Sequence, residues 1–259
     1  VNLTDGVICY EQPLNERMRT FLRLEHLFDI AQHLLGGNSQ WDSRLCLEAL
    51  LGVIDLLGRS DVKTELIKEL ERHANSLSAL QNNPGVDPAR LSAVLGEING
   101  YLTELRDASC QPGQGLRRDE LVSSIRQRSS IPGGTCNFDL PAYHYWLHKS
   151  VVGRRAALEE WHRDLMVVRR AMKLALHMVR NSTTPTRECA QRGFFQKPIE
   201  PNVACQIVRV VLPVESPYFP EISGGRHRFT VRFMGQQDSR ERPVQTEEDI
   251  EFELRCCIL

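Results

Sequence analysis

The sequence predicts an α+β fold: a mainly helical domain with a smaller antiparallel β domain, the N-terminal strand being a candidate member of the C-terminal sheet. Three observations carry this. Up to about residue 180, apolar residues recur at steps of three and four, the spacing of a buried helix face. After Asn181, prolines at Pro185, Pro198, Pro201, Pro213, Pro217 and Pro220 separate short segments that alternate apolar and polar residues. The 259 residues, 41% hydrophobic and 25% charged, suffice for one large domain or two small ones with real cores. The boundaries expected are a helical, dimer-forming domain over 13–181 and a β domain from 7–12 and 190–257.

Residues 7–12 read as a short strand. Pro13-Leu-Asn15 leads into a helix, with Asn15 or the preceding turn as its cap, whose apolar positions are Leu14, Met18, Phe21, Leu24, Phe28, Ala31 and Leu35. Gly36-Gly37 ends it. A second helix over 45–57 is expected to stop at Gly58. Ser60-Asp61 caps a third, striped by Leu66, Leu70, Ala74 and Leu77. Asn82-Asn83-Pro84-Gly85 is a turn, and Asp87-Pro88 opens a fourth helix to about Arg106. The next break is at 111–115. A helix through Arg126 must end at Pro132-Gly133-Gly134, because proline lacks a donor and glycine permits φ > 0. Asp139 then stands where a cap belongs, with Pro141 just inside another helix. A long helix over 151–180 carries Leu158, Trp161, Leu165, Val168, Met172, Ala175 and Val179, a heptad seam suited to core packing or to a helix pair within or between chains. Strands follow at 194–195, 205–212, 228–233 and 250–254, read as one antiparallel sheet.

Composition excludes several classes. No apolar run approaches a membrane span, and the first residues do not read as a signal peptide. Cys9, Cys46, Cys110, Cys136, Cys189, Cys205, Cys256 and Cys257 contain no C-x-x-C pair and suit free thiols in a reducing cytosol. The last four residues mimic a prenylation box, but a strand end with two small buried residues explains them. The net charge of −1 hides an uneven distribution. Residues 112–180 hold 12 Lys and Arg against 6 Asp and Glu, while 38–111 hold 7 against 11 and 235–259 hold 3 against 7. A basic face with acidic flanks is expected.

Three chemistries compete for residues 126–148. Cys136, Asp139, His144 and His148 contain the groups of a Cys–His enzyme, but they lie in one short window without an oxyanion motif. His144 and His148 share a helix face at i, i+4, as zinc ligands can, without a His-Glu-x-x-His pattern. Phosphate-loop and dinucleotide fingerprints are absent. The third reading is a cationic recognition surface. Arg17, Arg19 and Arg23 lie on the first helix, and Arg117, Arg118, Arg126 and Arg128 precede the Pro-Gly-Gly loop. Arg226, Arg228 and Arg232 share one face of an extended segment. Arginine suits planar, bidentate contact with carboxylate or phosphate.

Residues 13–25, 62–72, 84–87, 126–148, 222–233 and 252–257 carry a specific likeness. On these segments the chain resembles the ZapD family of bacterial Z-ring-associated division proteins along nearly its whole length; the proline-rich stretch 198–220 and Ile258-Leu259 depart from it. The resemblance implies a cytoplasmic, non-enzymatic protein acting at mid-cell, without cofactor or metal. It implies a homodimer that binds the C-terminal tail of FtsZ, the tubulin-like division GTPase, and bundles its filaments. Tail-binding residues implied here are Arg23, Arg117, Arg118, His144, Arg226, Arg228 and Arg232. Neither nucleic-acid binding nor membrane insertion is expected. The alternative is a nucleic-acid-binding regulator using the same arginines; it lacks a recognisable helix-turn-helix, and the acidic flanks would repel a long duplex.

Overall fold

A computed structural model describes residues 6–59, 61–81, 83–200, 204–225 and 227–258. Expectations placed on residues 1–5, Ser60, Asn82, Pro201, Arg226 and Leu259 lie outside the described residues. The fold is α+β, and the chain divides into two compact units: Val1–Arg19 with Leu176–Leu259, and Thr20–Ala175.

The helical unit is built from α1 (Glu16–Leu35), α2 (Gln40–Arg59), α3 (Val62–Ser78), α4 (Pro88–Arg106), α5 (Gln114–Arg118), α6 (Glu120–Arg128), α7 (Pro141–Leu147), α8 (Val151–Arg163) and α9 (Met166–Arg180). The chain passes between the units within α1 and α9. Asn15 caps α1, its Oδ1 accepting the Met18 amide at 2.9 Å. Phe21, Leu24, Phe28 and Ala31 are buried on the stripe the periodicity marks. Helix α2 starts earlier than expected because Ser39 and Asp42 form a reciprocal cap. The Ser39 amide donates to Asp42 at 2.9 Å and the Asp42 amide to Ser39 Oγ at 3.0 Å. Gly58 does not stop α2, which runs through Arg59. Asp61 and Asp87 cap α3 and α4, and Pro88 occupies the first helical position of α4.

The helix–loop–helix over the Pro-Gly-Gly turn is present. Gly133 has φ +72°, and a Cβ on Gly134 would stand 2.8 Å from the Arg128 carbonyl oxygen, so both glycines are required. Asp139 is not the cap of α7. That position is Leu140, without a side-chain hydrogen bond, because Arg128 engages Asp139 at 2.9 Å. Nor is 151–180 one helix. It breaks at Asp164–Leu165, where Asp164 accepts the Leu116 amide at 3.2 Å. Every residue of the heptad seam is nonetheless buried within the single chain, Leu158 and Trp161 on α8 and Val168, Met172, Ala175 and Val179 on α9. The seam is core, and it offers no face to a second chain.

The β unit holds two antiparallel sheets rather than one. The first has the order β1-β4-β8-β2: β1 (Val7–Pro13), β4 (Cys205–Pro213), β8 (Ile250–Ile258) and β2 (Thr186–Ala190). The second is β3-β6-β5, from β3 (Phe194–Pro198), β6 (Arg228–Gly235) and β5 (Tyr218–Gly224), with β7 (Val244–Gln245) against β6. The N-terminal strand does join the sheet containing the C-terminal strand. Val208, Val210, Leu212, Phe252 and Leu254 of the first sheet meet Phe229, Val231 and Phe233 of the second in one core. Each large side chain buried there contributes about 2 kcal/mol of transfer free energy. Strands β2, β5 and β7 escape the alternation pattern: β5 contains Pro220 and β7 is two residues long. The Cys-Cys ending belongs to β8, as the strand-end reading expects, but only Cys257 is fully buried and Cys256 is half-buried.

Candidate functional site

The expected tail-binding residues divide between the units. Arg23 projects from α1 between the buried Phe21 and Leu24, exposed and without a hydrogen bond or ion pair among the described residues. Arg118 at the end of α5 is exposed in the same way. Its neighbour Arg117 is tethered: its guanidinium donates to the carbonyl oxygens of Pro112 at 3.4 Å and Ile54 at 3.5 Å. His144 is exposed on α7, its ring 4.3 Å from that of His148, whose Nδ1 lies 2.8 Å from the His144 carbonyl oxygen.

In the β unit, β6 alternates as the sequence demands. Phe229, Val231 and Phe233 are buried while Arg228 and Arg232 stand exposed on the other face. Arg232 lies in register between Phe194 of β3 and Glu221 of β5, and Arg228 opposite Pro198. Neither arginine makes an ion pair among the described residues. Arg226 lies outside them.

Other arginines of the basic segments are engaged. Arg19 pairs with Glu16 at 2.6 Å, Arg126 with Asp55 at 3.0 Å, and Arg128 with Asp139 at 2.9 Å. In the β unit Glu11 holds Arg180 at 2.6 Å and Arg209 at 2.9 Å.

The Cys–His constellation does not assemble as a catalytic array. The Cys136 thiol donates to Asp139 at 3.3 Å, and no hydrogen bond joins it to either imidazole among the described residues. Among the described residues no group of three or more His, Cys, Asp and Glu side chains is arranged to hold a metal ion.

Two arginines were not legible as special. Arg154 is 5% exposed, and its guanidinium reaches Ser43 Oγ at 3.0 Å and the carbonyl oxygens of Leu147 at 3.3 Å, Lys149 at 2.5 Å and Asn38 at 2.7 Å. It holds the α1–α2 and α7–α8 connections to α2. Arg44 lies over the rings of Tyr143 at 4.9 Å and Trp41 at 5.7 Å and donates to Thr135 at 2.8 Å. Trp41 beside it is 70% exposed, as is Tyr145.

A protein-family model for ZapD, a cell division protein, matches residues 22–232. The chain belongs to the ZapD family of cell division proteins. It is 46% identical over 252 residues to the cell division protein ZapD of Methylococcus capsulatus, covering 97% of this chain and 98% of the relative. The ZapD proteins of Aromatoleum aromaticum and Cupriavidus necator are each 39% identical, over 253 and 252 residues, with 97 to 99% of both chains covered. In this ZapD-family chain the match reaches both units and covers Arg23 to Arg232, while the paired Arg19 lies just before it. Among the described residues no helix is long and apolar enough to cross a membrane.

Proposed function

We propose that this division protein is a non-catalytic cross-linker that binds the C-terminal tail of FtsZ and, as a homodimer, bundles FtsZ filaments at the mid-cell ring. The observation that carries the reading is selective availability. Arg23, Arg118, Arg228 and Arg232 are exposed without partners among the described residues, although acidic side chains engage Arg19, Arg126, Arg128, Arg180 and Arg209. An unpaired guanidinium keeps its planar donor fork for a ligand carboxylate. A disordered tail offers such carboxylates, and it is bound weakly by any one site because ordering it costs entropy.

On the helical unit the proposed tail-binding residues also include Arg117 and His144. On the β unit they include Arg226, by its sequence position near Arg228. Weak single contacts suit a bundling protein: a dimer facing a polymer engages many tails, and avidity makes the cross-link durable while each contact stays exchangeable. The dimer itself needs a face other than the buried heptad seam. The test is co-sedimentation with assembled FtsZ. The chain should pellet with intact filaments and stay in the supernatant with filaments lacking the tail. Equal pelleting with both would overturn tail recognition. Binding to duplex DNA at the same salt, with none to FtsZ, would favour a nucleic-acid regulator.

A further inference from the structure

Strand alternation places Cys205 on the opposite face of β4 from Val208 and Val210. The structure does otherwise. Cys205 pairs with Ile258 and Ile207 with Cys257, so Gln206 is an extra residue, a β-bulge in β4. Gln206 is held there from the β1–α1 turn: its backbone oxygen accepts the Leu14 amide at 2.9 Å and its Oε1 accepts Asn15 Nδ2 at 2.7 Å. The bulge turns Cys205 onto the core face. Cys256, opposite Val208 on β8, is on that face too, and both thiols pack against the sandwich core. Cys257, opposite Ile207, faces the other way.

Both cysteines are half-buried and line one cavity of about 310 Å³, open to solvent and bordered by Lys197, Thr183 and Thr186. Thr183 Oγ1 is buried there without a hydrogen-bond partner. Lys197 pairs with Glu188 at 3.1 Å beside the thiols. The two cysteines are thus neighbours on one sheet face, reachable by a small molecule. Of the other six, Cys257 is adjacent in sequence but faces the other way, and the remaining five lie at separate positions.

We propose that Cys205 and Cys256 form a reversible dithiol–disulfide couple, oxidised by low-molecular-weight disulfides of the glutathione class that enter this cavity. Cys256 attacks as its thiolate, forming a bond to one sulfur of the external disulfide; that S–S bond breaks and the first small thiolate leaves and takes a proton from water. Cys205 then gives its proton to water and attacks the Cys256 sulfur, expelling the second small thiolate, which is protonated in turn. Two protein thiols are oxidised and one external disulfide is reduced to two thiols.

The order of attack follows from the surroundings. The neighbouring Cys205 thiol lowers the Cys256 pKa, opposed by burial and assisted by the Lys197 ammonium, with Glu188 acting against it. The neighbouring Cys256 sulfur, with burial and the Cys257 sulfur, raises that of Cys205, whose thiol donates to the Ile207 carbonyl oxygen at 3.7 Å. Cys256 is the attacking thiol and Cys205 the resolving one.

The full-length chain is incubated with a series of glutathione to glutathione-disulfide ratios, quenched in acid, alkylated and mapped by peptide mass. The expected product is an intramolecular Cys205–Cys256 disulfide, returned to two thiols by excess glutathione. In Cys205→Ser the same treatment should leave one glutathione trapped on Cys256, and in Cys256→Ser it should leave Cys205 free. The wild-type mapping stands whether or not either variant folds. Glutathione accumulating first on the exposed Cys9 or Cys189 while Cys205 and Cys256 remain alkylatable would overturn the proposal. So would a wild-type Cys256 that keeps its glutathione unresolved.

Discussion

Arg154 shows what one residue can decide. It sits four residues before Leu158 and seven before Trp161, on the stripe that α8 buries. The spacing therefore marks it as inward-facing, but a basic pair beside Arg155 reads as surface unless it is set against that stripe. Its four acceptors include three backbone carbonyls and no carboxylate. Removing the guanidinium orphans the buried Ser43 hydroxyl and Leu147 carbonyl away from water, which costs about 1–3 kcal/mol for each group left unsatisfied. Arg154→Ala should lower the unfolding free energy by about 3 kcal/mol or more in a urea titration. Arg154→Lys should restore only part, since an ammonium cannot reproduce the planar fork. A loss under about 0.5 kcal/mol, the range of ordinary surface changes, would show that the contacts exchange freely with water. His162 makes a second residue-scale prediction. It is 6% exposed with its Nε2 unpartnered, near the Phe28 ring. Burial, and then the charge of Arg169, lowers its pKa from 6.5. The unfolded chain therefore takes up this proton more readily than the folded one. The neutral ring's contribution is complete above about pH 6.5 and is lost as pH falls toward the lower folded value. His162→Gln should lose less stability than the parent between about pH 7 and pH 5; equal losses would refute the assignment.

At the scale of elements, the sequence was most legible where a cap or a periodic stripe stands alone. Asn15, Asp61 and Asp87 begin the helices they were expected to begin, because a short polar side chain before an apolar stripe has few other uses. It was least legible where a distant partner competes for the same side chain. Asp139 was claimed by Arg128 and so left the α7 cap. The heptad spacing over 151–180 continues across a break that depends on Asp164 meeting the Leu116 amide, 48 residues away in sequence. Period alone cannot reveal such a break. The Gln206 bulge is of the same kind, since Leu14 and Asn15 anchor it from the other end of the chain. Asp119 shows a doubly used carboxylate. One oxygen accepts the Val122 amide at 3.0 Å and caps α6; the other accepts Trp161 Nε1 at 3.2 Å. Asp119→Ala loses a cap worth about 1 kcal/mol and orphans the largely buried indole N–H, so a total near 2 kcal/mol is expected from denaturant unfolding. Asp119→Ser, which can cap but has one oxygen, should recover about half; full recovery would mean that the indole bond contributes nothing.

For the whole molecule, charge placement was readable but charge use was not. The basic segments and acidic flanks follow from counting, whereas only pairing distinguishes Arg209, held by Glu11 on the first sheet, from Arg232 on the second, which has no ion pair among the described residues. That difference separates recognition from folding. Arg232→Glu places a carboxylate in solvent beside Glu221, its register partner on β5, a repulsion that should change stability by about 0.5 kcal/mol at most. If Arg232 serves the proposed tail surface, the same change should abolish co-sedimentation with FtsZ filaments while the urea midpoint hardly moves. Arg209→Glu should do the reverse at the level of cause. It sets two carboxylates together where Glu11 and Arg209 are each about four-fifths covered, so the β unit should lose stability and any loss of binding should track unfolding. Arg23→Glu extends the comparison to the helical unit, where the side chain has no partner to lose among the described residues. Binding by wild type should also weaken as salt rises from about 0.05 to 0.3 M, because exposed charge pairs are screened over about 10 Å at 0.1 M. Salt-independent pelleting that survives both Arg23→Glu and Arg232→Glu would leave these arginines as solvated surface and move the search to the exposed aromatic residues around Arg44.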